Sequence, residues 1–342
     1  MQNYPITIIT LFIISMSPKR SIGICQSNGS ICGVLIIISV AFVLLINYFT
    51  LRAEAAFDDD FTGARARGMG GAFTALSDEA DGHLTNPAGL SVIAGQRLTA
   101  TMATLYAGLS DESSITQHLI GYSYSNSTIG AVGFAWKRLS VSGLYWENVA
   151  AIGLAKQYKF GSENKTRTFS LGATIKLLHW AVTPIMGADG NIVEDIEGRA
   201  NIGFDAGIIF RPLENAPVAV AVQNINRPNI ASKDSNISER LPVSVKLGVA
   251  VLGEKVSWAM DLGFERTQVD VRAGLEWQLY RDILALRLGF RLENLAWGTN
   301  ISLGASFKPN KSLRIDYAFL YPVGNIMDTF GCHRMSVVYF FP

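Results

Sequence analysis

The chain has 342 residues, 49% of them hydrophobic and 17% charged, and its basic and acidic residues nearly cancel at a net charge of +1. That balance, with no long run of Lys and Arg, excludes a nucleic-acid footprint. The length allows one large or two small domains, and the positive mean hydropathy leans towards a membrane protein.

Two apolar runs open the sequence, at 6–16 and 34–49, with Lys19 and Arg20 between them and Ala53-Glu54-Ala55 after the second. This is the layout of a secretory signal peptide: a basic n-region, an h-region over 33–49, and an Ala-x-Ala cleavage site. The mature chain is expected to begin near Ala56, and the first run then lies upstream of a start at Met16. The h-region exceeds the usual ~7–15 residues, so a retained anchor is the alternative. Ile24 and Ile31 precede Cys25 and Cys32, which argues against lipidation. Both cysteines leave with the leader, and Cys332, alone in the mature chain, can form no intrachain disulfide.

Next comes a glycine-rich stretch over 63–90, GARARGMGGAFTALSDEADGHLTNPAGL. Gly68, Gly70 and Gly71 permit tight turning and close packing and read as a hinge. Asn86-Pro87-Ala88-Gly89 is a turn in which Asn bonds its own backbone, Pro fixes φ and Gly takes positive φ. Ala72, Phe73, Ala75 and Leu76 need an enclosure that so short a segment cannot supply, so 56–95 reads as a plug inside whatever follows. Asp78-Glu79-Ala80-Asp81 spells a helicase box, but no phosphate loop precedes it, and a solvated acidic turn is the expectation. Gly68-Met69-Gly70 fails as a dinucleotide fingerprint because Phe73 stands at the third glycine position. Asp58, Asp60, Thr62 and Gly63 fit half of a calcium loop whose twelfth position is Met69 instead of Glu. No metal or cofactor is expected.

Ala66-Arg67-Gly68-Met69-Gly70-Gly71-Ala72-Phe73, the acidic cluster, and Asn86-Pro87-Ala88-Gly89-Leu90 together resemble the N-terminal signature of the FadL-type outer-membrane barrels, nearest to their shorter PorV-like branch. The chain departs from the pattern at Leu84-Thr85, where many relatives carry an aromatic residue before Asn-Pro. The resemblance implies a plugged transmembrane barrel, with ligand contacts at Met69, Phe73, Leu76, Asn86, Pro87 and Gly89.

From Gln96 onward the hydrophobic period is two. Val243, Val245, Leu247, Val249 and Val251 alternate with Ser244, Lys246, Gly248 and Ala250; Val269, Val271, Ala273, Leu275 and Trp277 alternate with Asp270, Arg272, Gly274 and Glu276. Runs of ~10 residues suit membrane-crossing strands, whereas sandwich strands are nearer ~5–6. The expected fold is all-β: an antiparallel up-and-down transmembrane barrel over 96–342 with about fourteen strands. The strands are placed near 96–107, 116–125, 128–138, 148–159, 168–181, 199–211, 217–224, 241–252, 255–264, 268–280, 283–293, 298–307, 311–321 and 332–341. Short turns at 126–127, 253–254, 281–282 and 308–310 alternate with long connections at 182–198, 225–240 and 322–331, as periplasmic turns and outer loops do. Met335, Val337, Tyr339 and Phe341 share one face of the last strand, which resembles the signal read by the barrel-assembly machinery, with Pro342 a departure. The partners expected are therefore that machinery and outer-membrane lipid, in a Gram-negative-type outer membrane.

By phase, Asp261, Arg272, Glu276, Arg287, Arg291, Arg314, Asp316 and Arg334 point into the lumen. They are read as a structural charge ladder, or, if an arginine is left over, as a receiver for an anionic headgroup. The four histidines lie in separate segments with no nucleophile motif beside them, so no enzyme is expected. Two functions remain. The barrel passes a small hydrophobic molecule past a shifting plug, or it binds a secreted protein partner through apolar outer loops.

Overall fold

The structure, a computed structural model, describes residues 57, 62–126, 128, 130–161, 167–187, 191–194, 196–233, 235–236, 238–266, 268–280, 283–293, 299–323 and 329–342. The leader at 1–55, its cleavage motif, and Asp58 and Asp60 lie outside the described residues.

Among the described residues sixteen strands follow the plug: β1 (Gly95–Leu105), β2 (Ile115–Asn126), β3 (Gly130–Val141), β4 (Tyr145–Phe160), β5 (Arg167–Val182), β6 (Ile185–Met186), β7 (Ile192–Glu194), β8 (Arg199–Leu213), β9 (Ala216–Gln223), β10 (Ser244–Val251), β11 (Val256–Glu265), β12 (Gln268–Leu279), β13 (Leu284–Glu293), β14 (Thr299–Asn310), β15 (Leu313–Val323) and β16 (Cys332–Phe340). Fourteen of them close an antiparallel barrel in which β16 pairs with β1. Closure removes both sheet edges, the requirement for a sheet in lipid. β6 and β7 form a separate hairpin within the 183–198 connection.

Each strand alternates as its sequence does. On β13, Leu286, Leu288 and Phe290 are exposed on the outer face, while Ala285, Arg287 and Gly289 are buried inside. Leu303 and the β16 residues Met335, Val337 and Tyr339 likewise face outward. One turn differs from expectation. Lys308, Pro309 and Asn310 belong to β14, a bulge between Phe307 and Asn310 absorbs the proline, and the reversal falls at Lys311-Ser312.

The lumen is filled by residues 62–93: a one-turn helix α1 (Ala64–Gly68), then two 3₁₀ turns over Gly82–Leu84 and Pro87–Val92. Asn86 caps the second turn by accepting from the Ala88 N–H at 3.1 Å, and its amide donates to the Thr74 carbonyl at 3.0 Å. Gly70 and Gly71 take positive φ, +67° and +81°. Ala66, Met69, Phe73 and Leu76 form an apolar core with Ile209, Ala219, Ala250 and Ala259 of the wall.

That fit depends on a belt of wall glycines. Three cross-strand pairs, Gly133 with Gly153, Gly172 with Gly207, and Gly274 with Gly289, meet the plug directly. A Cβ on Gly289 would lie 2.0 Å from the Gly70 nitrogen, and one on Gly172 would lie 2.4 Å from that of Ala88. At these two positions backbone packs on backbone, whereas Gly133 and Gly153 receive the His83 and Leu90 side chains.

The wall is uneven. β4 and β5 have 16 residues each, β9 and β10 only 8. Beyond the last β8–β9 pair, Ala206 with Val222, the connection from 224 continues along β8. It is held there by Ile225 N–H to the Phe204 carbonyl (2.9 Å), by the Asn226 side chain, which bonds Phe204 and Ile202, and by Trp180 Nε1 to the Ile230 carbonyl (2.7 Å).

Candidate functional site

On the long-loop side of the plug lies a cavity of about 50 Å³. Its apolar lining is Phe57, Leu84, Val149, Leu178 and Leu241, and its polar lining is Thr62, Lys137, Lys176, Gln223 and Asn224. Phe57 is placed by a bond from its N–H to Glu147 Oε1 (3.0 Å) and packs against Val149, Leu178, Ile230 and Leu241. Lys176 Nζ pairs with Asp205 Oδ1 at 2.9 Å and reaches Asn224 Oδ1 at 3.0 Å, while Gln223 donates to the Leu84 carbonyl at 2.6 Å. One plug residue, Leu84, is therefore both cavity floor and wall contact.

The residues expected to touch a ligand lie elsewhere. Met69, Phe73 and Leu76 are sealed in the seam between plug and wall. Pro87 abuts Gly172 and Gly207, and a Cβ on Gly89 would meet the Ser77 carbonyl at 2.2 Å. With Asn86 holding the turn, these residues shape the plug and do not line the cavity. Gly68, read as a hinge with Gly70 and Gly71, packs on Gly304, and Gly70 packs on the Phe290 backbone. The glycines allow close seating as well as positive φ.

The acidic segment is a second correction. Instead of a solvated turn, Glu79 and Asp81 are buried in the lumen. Arg65 Nη1 lies 2.6 Å from Asp78 and 3.0 Å from Glu79, and Arg314 Nη2 lies 2.7 Å from Glu79. Burial raises a carboxyl, but Arg314 and Arg65 bring Glu79 below its ordinary value. Asp81 accepts from the Gly63 N–H at 2.9 Å, yet burial, reinforced by the negative Glu79, pushes it up to about 6. His83, lodged between Gly133 and Gly153, is lowered by burial to about 4 and stays neutral.

The lumen charges lie on the inward face of their strands, and most of them pair with one another. Arg287 pairs with Glu276 (2.6 Å) and Asp316 (3.3 Å), Arg314 with Asp316 (2.8 Å), and Arg272 and Arg291 share Asp270. Arg272, Arg287, Arg291 and Arg314 each have a carboxylate, and Arg334 donates to the Thr62 carbonyl and to Gln117 Oε1 (2.6 Å), so each has a polar partner within the lumen. Asp261 accepts the Phe73 and Thr74 N–H groups at 2.8 Å. The belt of glycines was missed from sequence, although its signal was there: glycines recur mid-strand at inward-phase positions.

No protein-family model and no curated protein matches this chain. Among solved structures it is similar to the Ralstonia pickettii toluene transporter TbuX (13% identity, 83% of this chain and 99% of that one, TM-score 0.53). It is also similar to the P. putida toluene transporter TodX (12%, 83% and 99%, TM-score 0.55) and to a Pseudomonas aeruginosa FadL homologue (13%, 84% and 100%, TM-score 0.54). The fold is that of the FadL-type barrels. At these identities the likeness establishes architecture, and function has to be argued from the cavity and plug.

Proposed function

We propose that this barrel sits in the outer membrane of a Gram-negative-type bacterium and passes small hydrophobic molecules without energy input. Its leader is removed after Ala55, its last strand is read by the barrel-assembly machinery, and its long connections face outward. The observation that supports this reading is the half-apolar cavity on the long-loop side of the plug, in a fold shared with toluene transporters. An apolar cavity of ~150 Å³ accepts benzene; this one is about a third of that, so a solute widens it by moving Phe57 or Leu84. Filling it should therefore block passage. In reconstituted vesicles Val149→Trp is expected to cut toluene uptake severalfold while heat-modifiable gel mobility stays normal. Unchanged uptake would remove the cavity from the route.

One observation supports a second reading, a barrel that binds a secreted protein partner. Leu144, Met186 and Ile192 are strongly exposed, and Thr183 ties their two loops together through the Leu144 and Gly143 carbonyls. Leu144→Ser with Met186→Ser would then impair export and leave solute uptake intact.

A further inference from the structure

Six charges, four buried and two half-buried (Arg65 and Arg314), form a closed ring of alternating sign. Arg65 pairs with Glu276, Glu276 with Arg287, Arg287 with Asp316, Asp316 with Arg314, Arg314 with Glu79, and Glu79 with Arg65, at 2.6–3.3 Å. Arg65 and Glu79 belong to the plug; the other four stand on β12, β13 and β15. The ring carries no net charge, each member has a partner on both sides, and Arg65 meets Glu276 with two nitrogens, at 2.9 and 3.1 Å. Ionised and bidentate bonds of this kind are roughly twice as strong as neutral ones.

The first half of the plug has further polar ties of the same sort. Arg334 donates to the Thr62 carbonyl, Ser336 accepts the Ala64 N–H at 2.8 Å, Arg97 donates to the Asp78 carbonyl at 2.5 Å, and Asp261 accepts from Phe73 and Thr74. Among the described residues, the second half reaches the wall through neutral groups: Gln223 to the Leu84 carbonyl (2.6 Å), Asn86 to the Ile208 carbonyl (3.3 Å) and Thr174 to the His83 carbonyl (3.4 Å).

We infer that the ring is a latch that fixes residues 62–81 to the wall, so that the plug does not leave the lumen as a unit and movement is confined to 82–93. This does not depend on which solute passes, or on whether any does. The moving half is the one that floors the cavity through Leu84, whereas the latched half touches it only at Thr62.

Amide hydrogen exchange on the folded barrel in detergent tests it. In the native protein, plug amides in 82–93 are expected to exchange at least tenfold faster than those in 64–79. Arg65→Gln, which leaves Glu276 and Glu79 under-compensated, should speed exchange in 64–79 by about 100-fold or more, as loss of one partner of a buried pair does, with little change in the wall strands. If Arg65→Gln does not fold, the charge-balanced Arg65→Gln/Glu276→Gln variant replaces it, with the same segment expected to loosen. Equal protection of the two halves in the native protein would overturn the latch. So would exchange in 64–79 that is unmoved in the folded variant.

Discussion

Asp81 is the plug residue whose ionisation works against the fold. Its carboxyl titrates near 6 in the folded chain against an ordinary value of 3.8, so the folded state favours the protonated form. The cost is absent below about pH 4, grows through the window between the two values, and is complete above pH 6. Between those two values the cost amounts to roughly 3 kcal/mol. Asp81→Asn keeps an acceptor for the Gly63 N–H and should raise the unfolding midpoint at pH 8 while leaving it unchanged at pH 4. A variant destabilised at pH 8 would show that the ionised carboxylate is needed. His83 has the opposite dependence. Neutral when buried, it contributes stability that is lost as pH falls from 6.5 towards 4, so His83→Gln should flatten the acid limb of the same profile.

Elements were read more easily from sequence than the space between them. All fourteen barrel strands lie close to the places that alternation assigns, because a strand between lipid and lumen must change polarity at every residue. The lipid face follows directly. Leu303→Arg should cost ~2–4 kcal/mol at mid-bilayer, against little effect for Gln157→Arg, which faces the lumen near the short-turn end. Ser302, which alternation alone marks as a tolerant lumen site, is fully buried, and Ser302→Arg should disrupt the plug. The same blind spot accounts for the acidic segment and for Met69, Phe73 and Leu76. A pattern of period two shows that a residue points inward but not how full the interior is. Occupancy is set by backbone meeting backbone at Gly289, Gly172 and Gly70. Gly289→Val is accordingly expected to leave the barrel assembled but unseat the plug, read as raised ion conductance in a planar bilayer. Unchanged conductance would mean that the belt can give way.

For the whole molecule, plug and barrel form one packed object. A ring of charges pins one half of the plug, glycine contacts seat both halves, and a small cavity on the long-loop side has Leu84 of the other half as its floor. On the proposed function, such a body passes small apolar solutes that displace Phe57 or Leu84 and holds back polar ones. The most direct test is paired flux through the purified barrel in liposomes, toluene against a sugar of similar mass. Toluene entry well above that of protein-free vesicles, with no sugar entry, is the expected result. Passage of the sugar, or toluene flux no higher than in protein-free vesicles, would contradict a sealed barrel selective for hydrophobic solutes.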